Sequence, residues 1–133
     1  MLRFVGEPDQ IAENYDFVHC TNYWRSDTRQ VTLRIEALEA TLAKALIYVG
    51  SKYPICSLIR ARKFIKRGWS INAGQFVKMA WQISQLKLND VATLEEQLVG
   101  VDAAYFRQLI DLLQSKGDTV DGSYLMTVID RVF

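Results

Sequence analysis

The chain has 133 residues, half of them hydrophobic and 11% aromatic, which fits one folded domain with a real core. It contains only two prolines, no stretch of low complexity and no hydrophobic run long enough to cross a bilayer. These features exclude a disordered tail and predict no membrane partner. With one histidine and two distant cysteines, Cys20 and Cys56, the sequence predicts no metal site, no cofactor and reduced thiols, as in a cytoplasmic protein.

The net charge of +1 hides a strong segregation of charge along the chain. Residues 1–39 carry seven acids and four bases, residues 40–89 carry nine bases and no acid, and residues 90–133 carry eight acids and three bases. Such a chain either neutralises itself in the folded state or presents its basic segment to an anion. Both alternatives remain open at this point.

The N-terminal part of the sequence predicts strands and one short helix. The expected elements are a strand at Leu2 to Val5, a short helix around Pro8, a strand over residues 15–24 and a return strand over residues 31–35. In the middle strand, alternation would place Phe17, His19, Thr21 and Tyr23 on one face.

The rest of the sequence is typical of helices. A helix from Ile35 to Leu46 is expected to bury Ile35, Leu38, Leu42 and Leu46. A basic helix ending at Gly68 follows, and Asn72 is the expected N-cap of a helix that places Trp81 in the core. Thr93 and Glu96 fit a capping box, a further helix ends at Gly117, and residues 123–133 form a helix or a strand.

This order of elements predicts an α+β fold that is predominantly helical. A small N-terminal sheet of two or three strands would pack on a C-terminal helical bundle. We expect residues 1–133 to form a single domain, with an α/β part over residues 1–50 and a helical part over residues 51–133.

The most distinctive segment is the basic helix within Tyr53 to Ile71. Its five cations fall within eight positions and are Arg60, Arg62, Lys63, Lys66 and Arg67. At about 100° per residue, the cations share one side of the helix, and Leu58, Ala61, Phe64 and Ile65 share the other. Like charges three and four positions apart destabilise an isolated helix, and no acid within the helix offsets them. Acids from the ends of the chain or an anionic ligand must therefore do so, and phosphate suits arginine and lysine.

Several single residues near this helix are candidates for a site. Trp69, directly after Gly68, is the best candidate for stacking on a base. Asp16 lies either at the edge of a nucleotide pocket or at a strand end, where its carboxylate would bond nearby backbone groups. His19 is expected to be a semi-buried histidine, and Cys20 and Cys56 have no partner placed to activate them, so no catalytic residue is predicted.

Two motifs resemble a known enzyme family. Residues 59–64, IRARKF, followed by residues 68–71, GWSI, are similar to the L-R-A-x-R-F…G-F-x-I stretch of class II CCA-adding enzymes and bacterial poly(A) polymerases. Residues 15–22, YDFVHCTN, resemble their R-R-D-F-T-I-N-A segment, and residues 47–50 fall where the family links its palm to its neck. The chain also resembles bacteriophage-encoded nucleotidyltransferase-like proteins, in the strings DFVHCTNY (residues 16–23) and YVGSKYP (residues 48–54). This resemblance covers roughly residues 2–85 and implies the rear of a palm joined to a helical neck, in the host cytoplasm if the protein is phage-encoded.

The departures from the family pattern bear on function. The sequence contains no D-x-D pair, which in the family holds the two magnesium ions for phosphoryl transfer. The two base-selecting positions of the family correspond to Pro54 and Ser57, and the paired arginines correspond to Asn14 and Tyr15. The resemblance therefore implies phosphate binding without catalysis.

Three hypotheses for function follow. The leading one is a non-catalytic nucleotidyltransferase-like remnant that binds tRNA-like RNA or a nucleotide through the basic helix. The second is a phage-type interaction or anti-defence protein, in which the helix meets an acidic surface of a host protein. The third and weaker one is half of a split nucleotidyltransferase, whose partner chain, or a second copy, would pair with the N-terminal strand.

Overall fold

The computed structural model describes residues 4–98, 103–117 and 120–132 of the chain. In these ranges the helices are α1 (Pro8–Ala12), α2 (Ile35–Leu42), α3 (Pro54–Ile65), α4 (Ala73–Ser84), α5 (Val91–Leu98), α6 (Ala103–Gln114) and α7 (Gly122–Val132). Strands β1 (Tyr23–Arg25) and β2 (Gln30–Thr32) form an antiparallel hairpin, preceded by a 3-10 helix at Val18–Thr21. The predicted α+β, mainly helical fold is confirmed. None of the described helices is long and apolar enough to span a bilayer.

The chain divides into two compact units, of which the first ends at Gln82 and the second begins at Ile83. The core cluster of the first unit contains Phe17, Leu46 and Tyr48 together with Ala61 and Met79. This core draws on residues from both sides of position 50, where the sequence suggested a change from an α/β part to a helical part.

The strand predicted over residues 15–24 is wrong for most of its length. Phe17 forms a single antiparallel bridge with Tyr48, where Val18 N donates to Ile47 O and Val49 N donates to Asp16 O, each at 3.0 Å. The chain then turns into the 3-10 helix, in which Thr21 Oγ1 donates to Val18 O at 2.8 Å. This local side-chain bond offers the backbone an alternative to strand pairing, so the expected alternation of side chains does not occur.

The hairpin is tied to α1 by surface ion pairs. Arg25 contacts Asp27 at 2.7 Å and Glu7 at 3.1 Å, and Arg34 contacts Asp9 at 2.7 Å. The strand predicted at Leu2 to Val5 lies partly outside the described residues, and its last two residues, 4 and 5, are in no strand.

Helix α2 is shorter than predicted and buries a different face. Ala37 and Ala40 are fully buried where α2 packs against the 3-10 helix, whereas Ile35 and Leu42 are 71% and 76% exposed. The small alanine side chains let the two backbones approach closely, which the larger residues would prevent. Of the residues expected to be buried, only Leu46, beyond the helix, lies in the core.

Helices α3 and α4 complete the core of the first unit. Pro54 occupies the first turn of α3, and Gly68, with a φ of +81°, follows its end as predicted. The Asn72 side chain accepts a hydrogen bond from Gln75 N at 3.2 Å, which confirms the predicted cap of α4. The prediction for Trp81 is wrong: Met79 is the core residue of α4, and Trp81 is 68% exposed.

In the second unit, α6 packs against α5 and against α7. Helix α5 is capped by Asp90 and not by the predicted box at Thr93, because Asp90 Oδ2 accepts from Thr93 N at 2.9 Å and from Thr93 Oγ1 at 2.6 Å. Gly117 follows α6 with a φ of +106°, as expected, and the last segment is helical. Residues 118 and 119, which follow Gly117, lie outside the described residues.

Candidate functional site

The orientation of α3 decides which of its cations reach solvent. Its buried residues are Pro54, Cys56, Ser57 and Ala61, and Pro54, Ser57 and Ala61 recur at the helical spacing of three and four residues. Leu58 and Ile65, predicted to lie in the core, are 41% and 44% exposed. The buried face is therefore centred on the small residues, and the large apolar residues flank it.

Four of the five predicted cations are exposed at the end of α3 and in the turn that follows. We call them the cationic face, and they are Arg62, Lys63, Lys66 and Arg67. The fifth, Arg60, is half-buried and points toward the N-terminal segment of the first unit.

The acids of the N-terminal segment do not neutralise the cationic face. Three of the four ion pairs among the described residues join Glu7, Asp9 and Asp27 to Arg25 or Arg34, and only the fourth involves α3. As a result, no described carboxylate lies within 4.0 Å of the side chains of Arg62, Lys66 or Arg67.

The helix tolerates this concentration of charge for a local reason. Arg62 and Lys63 lie in the last turn of α3, where the partial negative charge of the helix C-terminus stabilises a cation by about 0.3–1 kcal/mol. Repulsion between like charges one turn apart costs about 0.2–0.5 kcal/mol per pair. The two effects are of similar size, so the helix C-terminus offsets part of this repulsion.

Arg60 is held by Asp16. Arg60 Nη1 lies 3.1 Å from Asp16 Oδ2, and the Asp16 side chain is only 5% exposed. The distance defines an ion pair, although no well-aligned hydrogen bond reaches Asp16 Oδ2 among the described residues. The ion pair does not depend on that alignment, because a buried carboxylate is stabilised by an adjacent guanidinium even without ideal hydrogen-bond geometry. Asp16 thus lies beneath α3, where it positions Arg60.

His19 and Cys20 adjoin this ion pair but are not an activated dyad. Cys20 Sγ lies 3.4 Å from His19 Nε2. Burial, together with the nearby charge of Asp16, raises the pKa of the Cys20 thiol to about 11. Burial also lowers the pKa of His19, against a smaller opposing effect of Asp16. At neutral pH the thiol is protonated and the imidazole neutral, so the pair lacks the thiolate that a nucleophilic cysteine requires.

Trp69 sits directly after the cationic face. Its ring packs against His19 and Phe64, with centroid distances of 4.4 and 5.2 Å, and it is half-buried. Trp69 N donates to Phe64 O at 3.1 Å, which folds the chain back over the end of α3. The aromatic cluster fixes the indole just past the end of α3, two residues after Arg67 in the chain.

Apolar surface next to the cationic face was not expected. Leu58, Ile59, Ile65 and Phe76, with Arg62 and Lys66, line a shallow cleft of about 350 Å³ between α3 and α4. The only signal of this cleft in the sequence is the spacing of Leu58 and Ile65, which by itself favours a buried core face.

No cluster of three or more histidine, cysteine, aspartate or glutamate side chains that could hold a metal ion occurs in the described ranges. No family model matches the chain, and no curated protein or solved structure is significantly similar to it.

Proposed function

We propose that the protein is a non-catalytic, nucleotidyltransferase-like module that binds tRNA-like RNA through the cationic face. The observation that carries this proposal is the lack of any described carboxylate within 4.0 Å of Arg62, Lys66 and Arg67, three neighbouring cations at one helix end. The alternative in which the N-terminal acids neutralise the cationic face is disfavoured. Glu7, Asp9 and Asp27 bind arginines of their own segment, and Asp16 binds Arg60, which is not part of that face.

The chemistry of the cationic face suits a phosphate backbone. Arginine donates two parallel hydrogen bonds to one phosphate, and lysine adds a compact charge. Trp69, fixed at the edge of the face, offers an aromatic ring on which an unpaired base can stack. Structured RNA with single-stranded ends presents both features, which is why we favour it over a free nucleotide.

The absence of catalysis is part of the proposal. The sequence has no D-x-D pair. At neutral pH the Cys20 thiol is protonated and the His19 imidazole is neutral, so this pair supplies no thiolate nucleophile. The resemblance to the palm and neck of CCA-adding enzymes remains part of this proposal and rests on the sequence motifs alone.

A second candidate function is binding to an acidic protein surface. The exposed Leu58, Ile65 and Phe76 favour it, since these side chains have no partner in a phosphate backbone but would suit the apolar side of an acidic helix. Such a partner would use the cleft and the cationic face together.

The test measures RNA binding by the full chain, using the fluorescence anisotropy of a labelled tRNA-like hairpin. The proposal predicts binding that is lost when Arg62, Lys66 and Arg67 are all changed to glutamate and kept when Leu58 and Ile65 are changed to asparagine. No binding by the wild-type chain at low salt would contradict it. Transfer of CMP or AMP to tRNA by the chain alone, with magnesium present, would contradict the non-catalytic part.

A further inference from the structure

The first unit has a second, larger cleft that is independent of the cationic face. It has a volume of about 650 Å³ and lies between the extended segment Tyr48, Val49 and Gly50 and one side of α4. The residues from α4 are Val77, Lys78, Trp81 and Gln82, which recur at the spacing of one helical turn. Pockets that hold small organic ligands have volumes in this range, roughly 300–1,000 Å³.

The walls of the cleft are apolar and partly aromatic. Val49 and Val77 are well exposed, and the Trp81 indole is 68% exposed. Gly50 adopts a φ of +114°, and a Cβ at this position would meet no atom within 4 Å. Glycine therefore permits the backbone turn and leaves the mouth of the cleft open.

The polar groups of the cleft are engaged within the protein, with one exception. The Gln82 amide accepts from Tyr48 Oη and from Ser51 N, and it donates to Ser51 O at 2.7 Å. The exception is one N–H of Lys78, since among the described residues its Nζ donates only two hydrogen bonds, to Tyr48 O at 3.3 Å and to Gln75 Oε1 at 3.4 Å. These two bonds hold the ammonium at the wall, and its third N–H remains for a ligand.

The charge of Lys78 identifies the kind of ligand. No carboxylate in the part of the chain that the structure describes lies within 4.0 Å of its ammonium. Apolar walls, an exposed indole and one fixed cation together complement a flat apolar molecule with a single negative charge.

We propose that this cleft binds a small aromatic carboxylate, with its ring against Trp81 and the two valines and its carboxylate on Lys78 Nζ. The ring removes apolar surface from water and stacks on the indole, while the charge-assisted hydrogen bond to lysine fixes its orientation. A straight acyl chain would fill the volume but would not use the flat face of Trp81.

The test compares 2-naphthoate with 2-naphthamide, which has the same ring and no charge, by calorimetry and by amide chemical shifts of the full chain. Naphthoate is expected to bind with a Kd of roughly 1 mM or tighter, given its small size. Naphthamide should bind at least about tenfold more weakly, because it cannot accept the charge-assisted bond. The largest shifts should fall on Gly50, Val77 and Trp81.

Two surface variants test the assignment without altering the core. Lys78→Met should remove the preference for naphthoate, and Val77→Glu, which places a carboxylate on the wall, should abolish naphthoate binding. Lys44→Met, an exposed lysine outside the cleft, is the matched control and should bind as the wild type does. Unchanged circular dichroism and Tm establish that each variant is folded.

Three results would overturn the proposal. They are no naphthoate binding by the wild type, equal affinity for the two compounds, and unchanged discrimination in Lys78→Met. RNA binding through the cationic face is measured separately and does not decide the outcome, so failure of one proposal leaves the other standing.

Discussion

The guanidinium of Arg60 lies 3.1 Å from the carboxylate of Asp16, and this contact joins α3 to the segment that enters the 3-10 helix. The backbone of that segment is in turn paired with the chain around Tyr48. The ion pair thereby helps to fix the rotation of α3 about its axis, with Ser57 and Ala61 inside and the cationic face outside.

Replacing Arg60 should lower the stability of the fold more than neutralising Asp16 does. Arg60→Met leaves a carboxylate that is 5% exposed without its cation, whereas Asp16→Asn leaves an arginine that still reaches water. We expect Arg60→Met to lower the free energy of unfolding by about 1–3 kcal/mol, less than for a fully buried pair because Arg60 is half-exposed. Urea unfolding measures this difference.

The double variant and a surface control sharpen this prediction. Asp16→Asn combined with Arg60→Met should recover part of the lost stability, since no buried charge then lacks a partner. Arg25→Met, which breaks only exposed pairs, should change stability less than Arg60→Met. Equal losses for Arg25→Met and Arg60→Met would mean that the Asp16 contact does not matter for the fold.

Two substitutions in α2 test which face of this helix is buried. Ala40→Leu adds volume where the side chain is fully buried and should destabilise the protein by about 1–3 kcal/mol. Leu42→Gln changes a residue that is 76% exposed and should alter stability by less than about 0.5 kcal/mol. Thermal or urea unfolding of both variants suffices, and the reverse order would show that the face predicted from the sequence is the correct one.

Cys20 should react slowly with alkylating reagents. Burial raises its thiol pKa to about 11 from an ordinary value of 9.0, so the reactive thiolate is roughly a hundredfold scarcer at pH 8. In a Cys56→Ala variant, in which Cys20 is the only thiol, the rate with iodoacetamide should still rise tenfold per pH unit up to about pH 10. A rate that levels off near pH 9, as in the urea-unfolded chain, would contradict the raised pKa.

His19 should make the protein sensitive to acid. Because burial lowers its pKa in the folded state, the unfolded chain binds the proton more readily, and stability falls as the pH drops below about 6.5. His19→Phe keeps an aromatic ring against Phe64 and Trp69 and cannot be protonated. The variant should therefore gain stability relative to wild type between pH 7 and pH 5, measured by urea unfolding at each pH; a constant difference would refute the assignment.

The fold class could be predicted from the sequence because its signals are local. Asn72, Gly68 and Gly117 each act within about one turn of a helix end. The errors concern tertiary packing. Hydrophobicity placed the large side chains of α2 and α3 inside, whereas close packing selected alanine and serine.

For the candidate site, too, the local features could be predicted from the sequence and the tertiary contacts could not. The cluster of cations is visible in the sequence, since all five fall within eight positions. The pairing of Arg60 with Asp16 and the cleft beside Trp81 join residues far apart in the chain, so no local pattern reveals them. The β-branched and aromatic residues of segment 15–22 favour a strand, but one bridge at Phe17 and the turn after it override that preference.

The salt dependence of RNA binding tests the central claim most directly. If the four residues of the cationic face each neutralise a phosphate, the logarithm of the affinity should fall with the logarithm of salt concentration with a slope of about −3. Changing Arg62, Lys66 and Arg67 to glutamate should abolish binding. The control variant changes Arg29, Lys44 and Lys87 to glutamate, alters the net charge equally and should keep most of the slope. Equal affinities and slopes for the two triple variants would contradict a localised RNA site on α3.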